Sequence, residues 1–168
     1  MSREELQALQ TPLKNRYRDE PASAIVTMTA EGDVDSASVA CSVQTGRALV
    51  EAGLHPASGG DGTLACSGDM LLQALVACAG VTLKAVATNR DIPLDGARVI
   101  AEGDLDFRGT LAVDREAPVG FREIRLSFHL PSVPEEELAT LLKLTERYCV
   151  VYQTLANGVP VSVTTNGN

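Results

Sequence analysis

The residues of this chain with the most chemistry available to them are its four cysteines, Cys41, Cys66, Cys78 and Cys149. A thiol can pack as a small hydrophobe. As a thiolate it can instead attack an electrophile, become oxidised and pair with a second sulfur. Cys78 lies in DMLLQALVACAGVTLKAVA (Asp69 to Ala87), where Asp69 and Lys84 are the only charges. At helical spacing it shares a face with Leu71, Ala74, Leu75, Thr82 and Ala85. That face is apolar and mostly small, so it needs a large partner or it encloses a cavity. Cys149 falls near the end of a second helical stretch, beyond Leu142 and Thr145 and beside Glu146 and Arg147. Each of the two also suits an inert core position, and spacing alone does not bring the sulfurs together.

The other candidates read more plainly. Cys66 ends a Gly/Ser-rich loop, LHPASGGDGTLACSG, either as loop filler or as an alternative resolving thiol. Cys41 alternates with Val39 and Val43 on one face of a strand and is expected in the core. No CxxC occurs, and His55 and His129 lie far apart, so neither a metal nor another cofactor is expected. Gly59-Gly60-Asp61-Gly62 has no Lys-Ser/Thr continuation and reads as a flexible loop, not a phosphate cradle. A formal net charge of −8 without a Lys/Arg run argues against nucleic acid and against anionic membrane surfaces. The N-terminus is polar and charged, unlike a signal peptide. The run from Asp69 to Ala87 is just long enough to span a bilayer, but its polar residues fit a buried central helix better. A cytoplasmic protein with resting thiols reduced is the expectation.

Positioning falls to the following elements. Arg3 to Arg18 repeats Leu6, Leu9, Leu13 and Tyr17 at amphipathic helical spacing, with Pro12 expected to bend or interrupt it. AIVTMTA and DSASVACSV, joined by an EGD turn, read as a hairpin, and RALVEAG follows the Thr45-Gly46 turn as a third strand. Asp69 falls in the first turn of the central helix, where a carboxylate suits the dipole. IPLDGARVIAEGDLDFRG reads as turn and strand, and FREIRLSFHL as a further strand. SVPEEELATLLKLTERYCVVYQTL reads as one helix, started by a Ser132/Glu135 capping box with Pro134 just inside, and VPVSVTT as a last strand. Helix, three strands, long helix, two strands, helix and strand make one α+β domain over residues 1–168, with residues 1–20 as a helical extension.

Three stretches resemble the OsmC/Ohr family, in the family's order, from about Gly59 to Val163: SGDMLLQALVACAGVTLKAVA, FRGTLAVDREAPVGFREIRLSFHL and ERYCVVYQTL. The resemblance implies antiparallel sheets packed on a long buried central helix in an intertwined homodimer. It also implies a thiol peroxidase that reduces organic hydroperoxides and is itself reset by an external dithiol of lipoyl type. On that reading Cys78 is the peroxidatic and Cys149 the resolving cysteine. Asp69 would be a supporting acid where relatives have Glu, and Glu146 matches a recurrent position of the last motif. A cation near Cys78 is implied as well: Arg47 by preference, with Arg122 and Arg147 behind it. Val150 stands where proline is frequent. Two other readings stay open: a module of the same fold that binds an apolar small molecule without turnover, and a thiol redox sensor or disulfide-handling protein.

Overall fold

The computed structural model describes residues 2–25, 27, 31–34, 40–44 and 49–165. Helix α1, Arg3–Asp19, begins with a capping box in which Ser2 Oγ accepts the Glu5 amide and the Glu5 carboxylate accepts the Ser2 amide. Pro12 does not interrupt it. The rung lost at proline frees only the carbonyl of Ala8, which is exposed to water. The amphipathic pattern is realised as a helix but not as burial, because Leu9 is 62%, Leu13 45% and Tyr17 37% exposed.

The first sheet holds β1 (Glu31–Val34), β2 (Ala40–Gln44), β3 (Leu49–Gly53) and the two-residue β4 (Ala65–Cys66) in that order. β1, β2 and β3 are antiparallel, pairing Val34 with Cys41 and Cys41 with Ala52. β4 runs parallel to β3, so this sheet is mixed where a purely antiparallel one was expected. The EGD segment read as a turn is instead strand β1: its pairing with β2, Glu31 opposite Gln44, overrides the local turn signal of Gly and Asp. The expected Thr45-Gly46 turn lies outside the described residues, as does Val39. The Gly/Ser loop is more tightly tied than its composition implies. A one-turn 3-10 helix, Pro56–Ser58, ends at Gly59 with φ +98°, and the Asp61 carboxylate accepts both the amide and the hydroxyl of Thr63.

Helix α2, Ser67–Asn89, is the central element. Its length and mean hydropathy of 1.8 would suffice to cross a membrane, and they suit a core helix equally. Its stripe Leu75, Ala79, Leu83 and Ala87 is buried at every fourth residue. Around it gather Ile92, Val133 and Leu141, with Val99 and Phe128 packed alongside. The opposite side is open within one chain, Val81 being 72% exposed. The second sheet pairs β5 (Arg98–Leu105) with β6 (Phe121–His129) antiparallel, Arg98 opposite His129, with an irregularity at Asp104/Leu105. The short helix α3, Phe107–Thr110, follows β5. Gly103 has no room for a side chain, since a Cβ there would stand 2.5 Å from the Phe121 ring.

Two expectations at the C-terminal end are corrected. The second long helix is in fact two, α4 (Glu135–Tyr148) and α5 (Val150–Asn157), parted at Cys149. The capping box at its start does not form: Pro134 is the N-cap residue, and the Ser132 hydroxyl donates to the Asp95 carbonyl in the loop before β5. VPVSVTT is not a strand. Val159, Val161 and Val163 are 57%, 84% and 88% exposed, and among the described residues no strand pairs with them to complete a ladder.

Candidate active site

Cys78 and Cys149 meet. Cys78 stands midway along α2, and α2 packs on α4 and α5, whose junction is Cys149. No glycine or proline marks that junction. Cys149 is extended, φ −75° and ψ 107°, and ends one helix while starting the next. Its amide donates to the Thr145 carbonyl at 2.9 Å, and its carbonyl accepts the Gln153 amide at 2.9 Å. Gln153 Nε2 then satisfies the Glu146 carbonyl across the break at 2.8 Å. The interruption frees the first amides of α5, which have no carbonyl behind them within the helix.

The start of α5 lies by Cys78. Burial opposes ionisation of Cys78, but the nearby Val151 amide, Cys149 thiol, Val150 amide and Thr82 hydroxyl outweigh it and hold its pKa below the ordinary thiol value. Cys149 is 1% exposed and shifts the other way. Burial pushes it up, and donating its proton toward the Cys78 sulfur, beside that developing charge, holds the proton in place, against an opposing hydrogen bond from the Tyr152 amide. The two neighbouring thiols are therefore shifted in opposite directions, Cys78 toward the thiolate and Cys149 toward the protonated form. Thr82 and the α5 amides were not singled out from the sequence as donors. Thr82 was legible only as a residue one helical turn beyond Cys78.

The remaining candidates fall in several places. A cavity of about 530 Å3 lies between β6, α2 and α5, with Leu75, Ile124, Leu126, Phe128 and Tyr152 in its wall and Arg122 and Glu146 contributing charge. Arg122 also stands 4.0 Å from Asp106, whose carboxyl is held down to about 2 by hydrogen bonds from Arg108. Arg147 sits over the Tyr148 ring, 5.7 Å from its centroid. Arg47 lies outside the described residues. Among the described residues no charged side chain acts on Cys78, so the lowered pKa arises without the expected cation. Asp69 is in the first turn of α2 as expected. It precedes Cys78 by nine residues, which is about 13 Å along the axis and half a turn round, so within one chain it faces away. It lines a separate cavity of about 350 Å3 with Cys66, His55, Phe107 and Phe121. No group of three His, Cys, Asp or Glu side chains among the described residues could hold a metal.

The sequence model for OsmC-like proteins matches residues 60–164, which is more than half of the chain and contains both sulfurs. The chain belongs to the OsmC-like family. Solved OsmC-like structures share its architecture. One, an OsmC-like protein of Mycoplasma pneumoniae, superposes with a TM-score of 0.65 at 17% identity, covering 79% of this chain and 89% of that one. An organic hydroperoxide resistance protein of Elizabethkingia anophelis does so with a TM-score of 0.63 at 18% identity, covering 80% and 91%. The organic hydroperoxide resistance protein OsmC of Legionella pneumophila, a predicted redox protein, gives 0.61 at 16% identity, covering 79% and 90%. No curated protein matches the sequence. The α+β OsmC-like fold is thus established by both comparisons. Cys78 and Cys149 are the thiols that this OsmC-like chain brings together.

Proposed function

We propose that this protein is a thiol peroxidase that reduces organic hydroperoxides to alcohols. The carrying observation is the contact between two sulfurs shifted in opposite directions. The Cys78 thiolate attacks the distal oxygen of ROOH, the O–O bond breaks, and the departing alkoxide takes a proton to leave as ROH. Cys78 is left as a sulfenic acid. The Cys149 sulfur, giving up its proton, then attacks the Cys78 sulfur, a disulfide forms and water departs. An external dithiol reduces the disulfide by two exchange steps and leaves oxidised itself. The apolar cavity beside Leu75 and Tyr152 suits the hydrocarbon part of an organic hydroperoxide better than hydrogen peroxide. Arg47 is the cation proposed to join the donors around Cys78, and Glu146, in the cavity wall, the acid that orients a polar group there.

The working unit is proposed to be a homodimer of single-domain chains. Leu71 and Val81 on α2 and the valines of residues 159–163 are apolar surface that a second copy would cover. Sedimentation should give twice the 17.7 kDa of one chain, and Val81→Glu should shift it toward the monomer. A species of single-chain mass at micromolar concentration would remove the dimer from this reading.

The function itself is tested by mixing the reduced protein with cumene hydroperoxide and counting free thiols. Loss of two thiols for each alcohol formed is the expected result. The 530 Å3 cavity also fits a second reading, a binding module for an apolar molecule. Cumene alcohol formation no faster than with a small free thiol, together with a co-purified apolar ligand, would favour that reading instead.

A further inference from the structure

The cavity between β6, α2 and α5 has a neighbour. A groove of about 670 Å3 along the exposed faces of α4 and α5 adjoins it, and Glu146, Tyr152 and Ala156 line both. The cavity offers the apolar surface of Leu75, Leu126, Phe128 and Leu155, whereas the groove adds two cations, Lys143 and Arg147. Four residues apart on α4, they share one face, about 6 Å apart along the axis. Like charges at that spacing weaken a helix. The helix dipole accounts for Arg147, in the last turn, but not for Lys143 a turn before it. Among the described residues neither makes an ion pair, whereas Arg90, Arg108 and Arg125 are each engaged by a carboxylate. Glu146 is the one acid in the groove wall. The Arg147 guanidinium lies over the Tyr148 ring, 5.7 Å from its centroid, which leaves its in-plane N–H groups for an anion.

We propose that Lys143 and Arg147 form an anion subsite, which holds the charged end of an amphipathic ligand whose hydrocarbon part lies in the cavity. This deepens the peroxidase reading and rests on it for the chemistry: the hydroperoxides favoured carry a carboxylate or phosphate away from the O–O bond. The ligand has a single chain, because a cavity of about 530 Å3 is of the size that takes one small molecule. A formal net charge of −8 repels anions at long range, so affinity for an anion has to come from a local pair of cations such as this one. On this account the two side chains choose the substrate and take no part in breaking the O–O bond.

The test is calorimetric binding of decanoate, decyl phosphate and 1-decanol to the reduced full-length protein, each below the concentration at which it aggregates. At least one of the anions should bind about five- to tenfold more tightly than decanol, since two exposed cations each contribute up to about fivefold in affinity. The better anion identifies the charged group of the substrate, and its advantage should shrink as salt is raised. Lys143→Gln combined with Arg147→Gln should remove the advantage and leave decanol affinity where it was. Lys143→Arg combined with Arg147→Lys should retain most of it. Both side chains are exposed, so these variants should melt with the wild type. Decanol bound by the wild type as tightly as either anion, no binding of the anions, or an anion advantage that survives both glutamines overturns the proposal. The assay needs no peroxide, so an anion advantage in a protein that never consumes hydroperoxide would sink the peroxidase reading and leave the subsite standing. Turnover of cumene hydroperoxide without any anion advantage would do the reverse.

Discussion

Cys78→Ser should abolish hydroperoxide reduction, lowering the rate by about a thousandfold or more, while Cys149→Ser should complete the first oxidation and stop at a sulfenic acid. A serine hydroxyl keeps the size and the hydrogen bonds of Cys78 but stays protonated at neutral pH, so the nucleophile vanishes without a cavity replacing it. Losses of this size are typical when the attacking atom itself is removed. Cys149→Ser is different. A hydroxyl at 149 can still donate to the Cys78 sulfur, so the thiolate survives and attack proceeds. What is missing is the second sulfur, and Cys66, at the N-cap of α2 and about 18 Å along the axis from Cys78, is no substitute. Stopped-flow peroxide consumption and dimedone trapping check both halves. Dimedone adduct on Cys78 in Cys149→Ser, and none in Cys78→Ser, is the expected pattern. A full catalytic cycle in Cys149→Ser with dithiol would mean that Cys149 is not the resolving residue. Equal slow oxidation of both variants and the wild type would make Cys78 a core thiol.

Leu141→Ala should cost about 2–5 kcal/mol, the range for deleting a buried leucine side chain whose surroundings relax incompletely. Leu141 is 0% exposed and lies in the cluster with Leu83, Ala87, Ile92 and Val133. For a domain of this size each kcal/mol moves the midpoint by roughly 2–4 °C, so a fall of about 4–20 °C is expected in thermal melts followed by circular dichroism. Val113→Ala, at a site 73% exposed on the loop between the strands of the second sheet, should change stability by no more than about 0.5 kcal/mol. The core substitution should also disturb the sulfurs. The Leu141 carbonyl accepts the Thr145 hydroxyl at 2.8 Å, and the Thr145 carbonyl accepts the Cys149 amide, so this turn of α4 sets where α5 starts. A Leu141→Ala protein that melts with the wild type would show that the α2–α4 contact is not the stabilising core.

Much of the scaffold was legible in advance because it is written in local periodicity. The apolar run around Cys78 could form little but a core helix, and alternation in FREIRLSFHL specified a strand. The family's three motifs, in order, singled out Cys78 and Cys149. Local signals misled where a distant partner decides. The glycine and aspartate of EGD read as a turn, yet pairing with β2 makes them strand. Three alternating valines near the C-terminus read as a strand, yet among the described residues nothing pairs with them.

The site divides along the same line. The sequence by itself determined which residue types were available: two thiols on apolar helical stretches, a threonine one turn beyond the first, and an acid in the opening turn of α2. Tertiary structure decided that the second helix breaks at Cys149 and that the two thiols come close enough to shift one another. Nothing local forces that break, because CVVY carries neither glycine nor proline. α2 packs on both α4 and α5, elements far apart in sequence, and that packing brings the start of α5 to the half-buried Cys78.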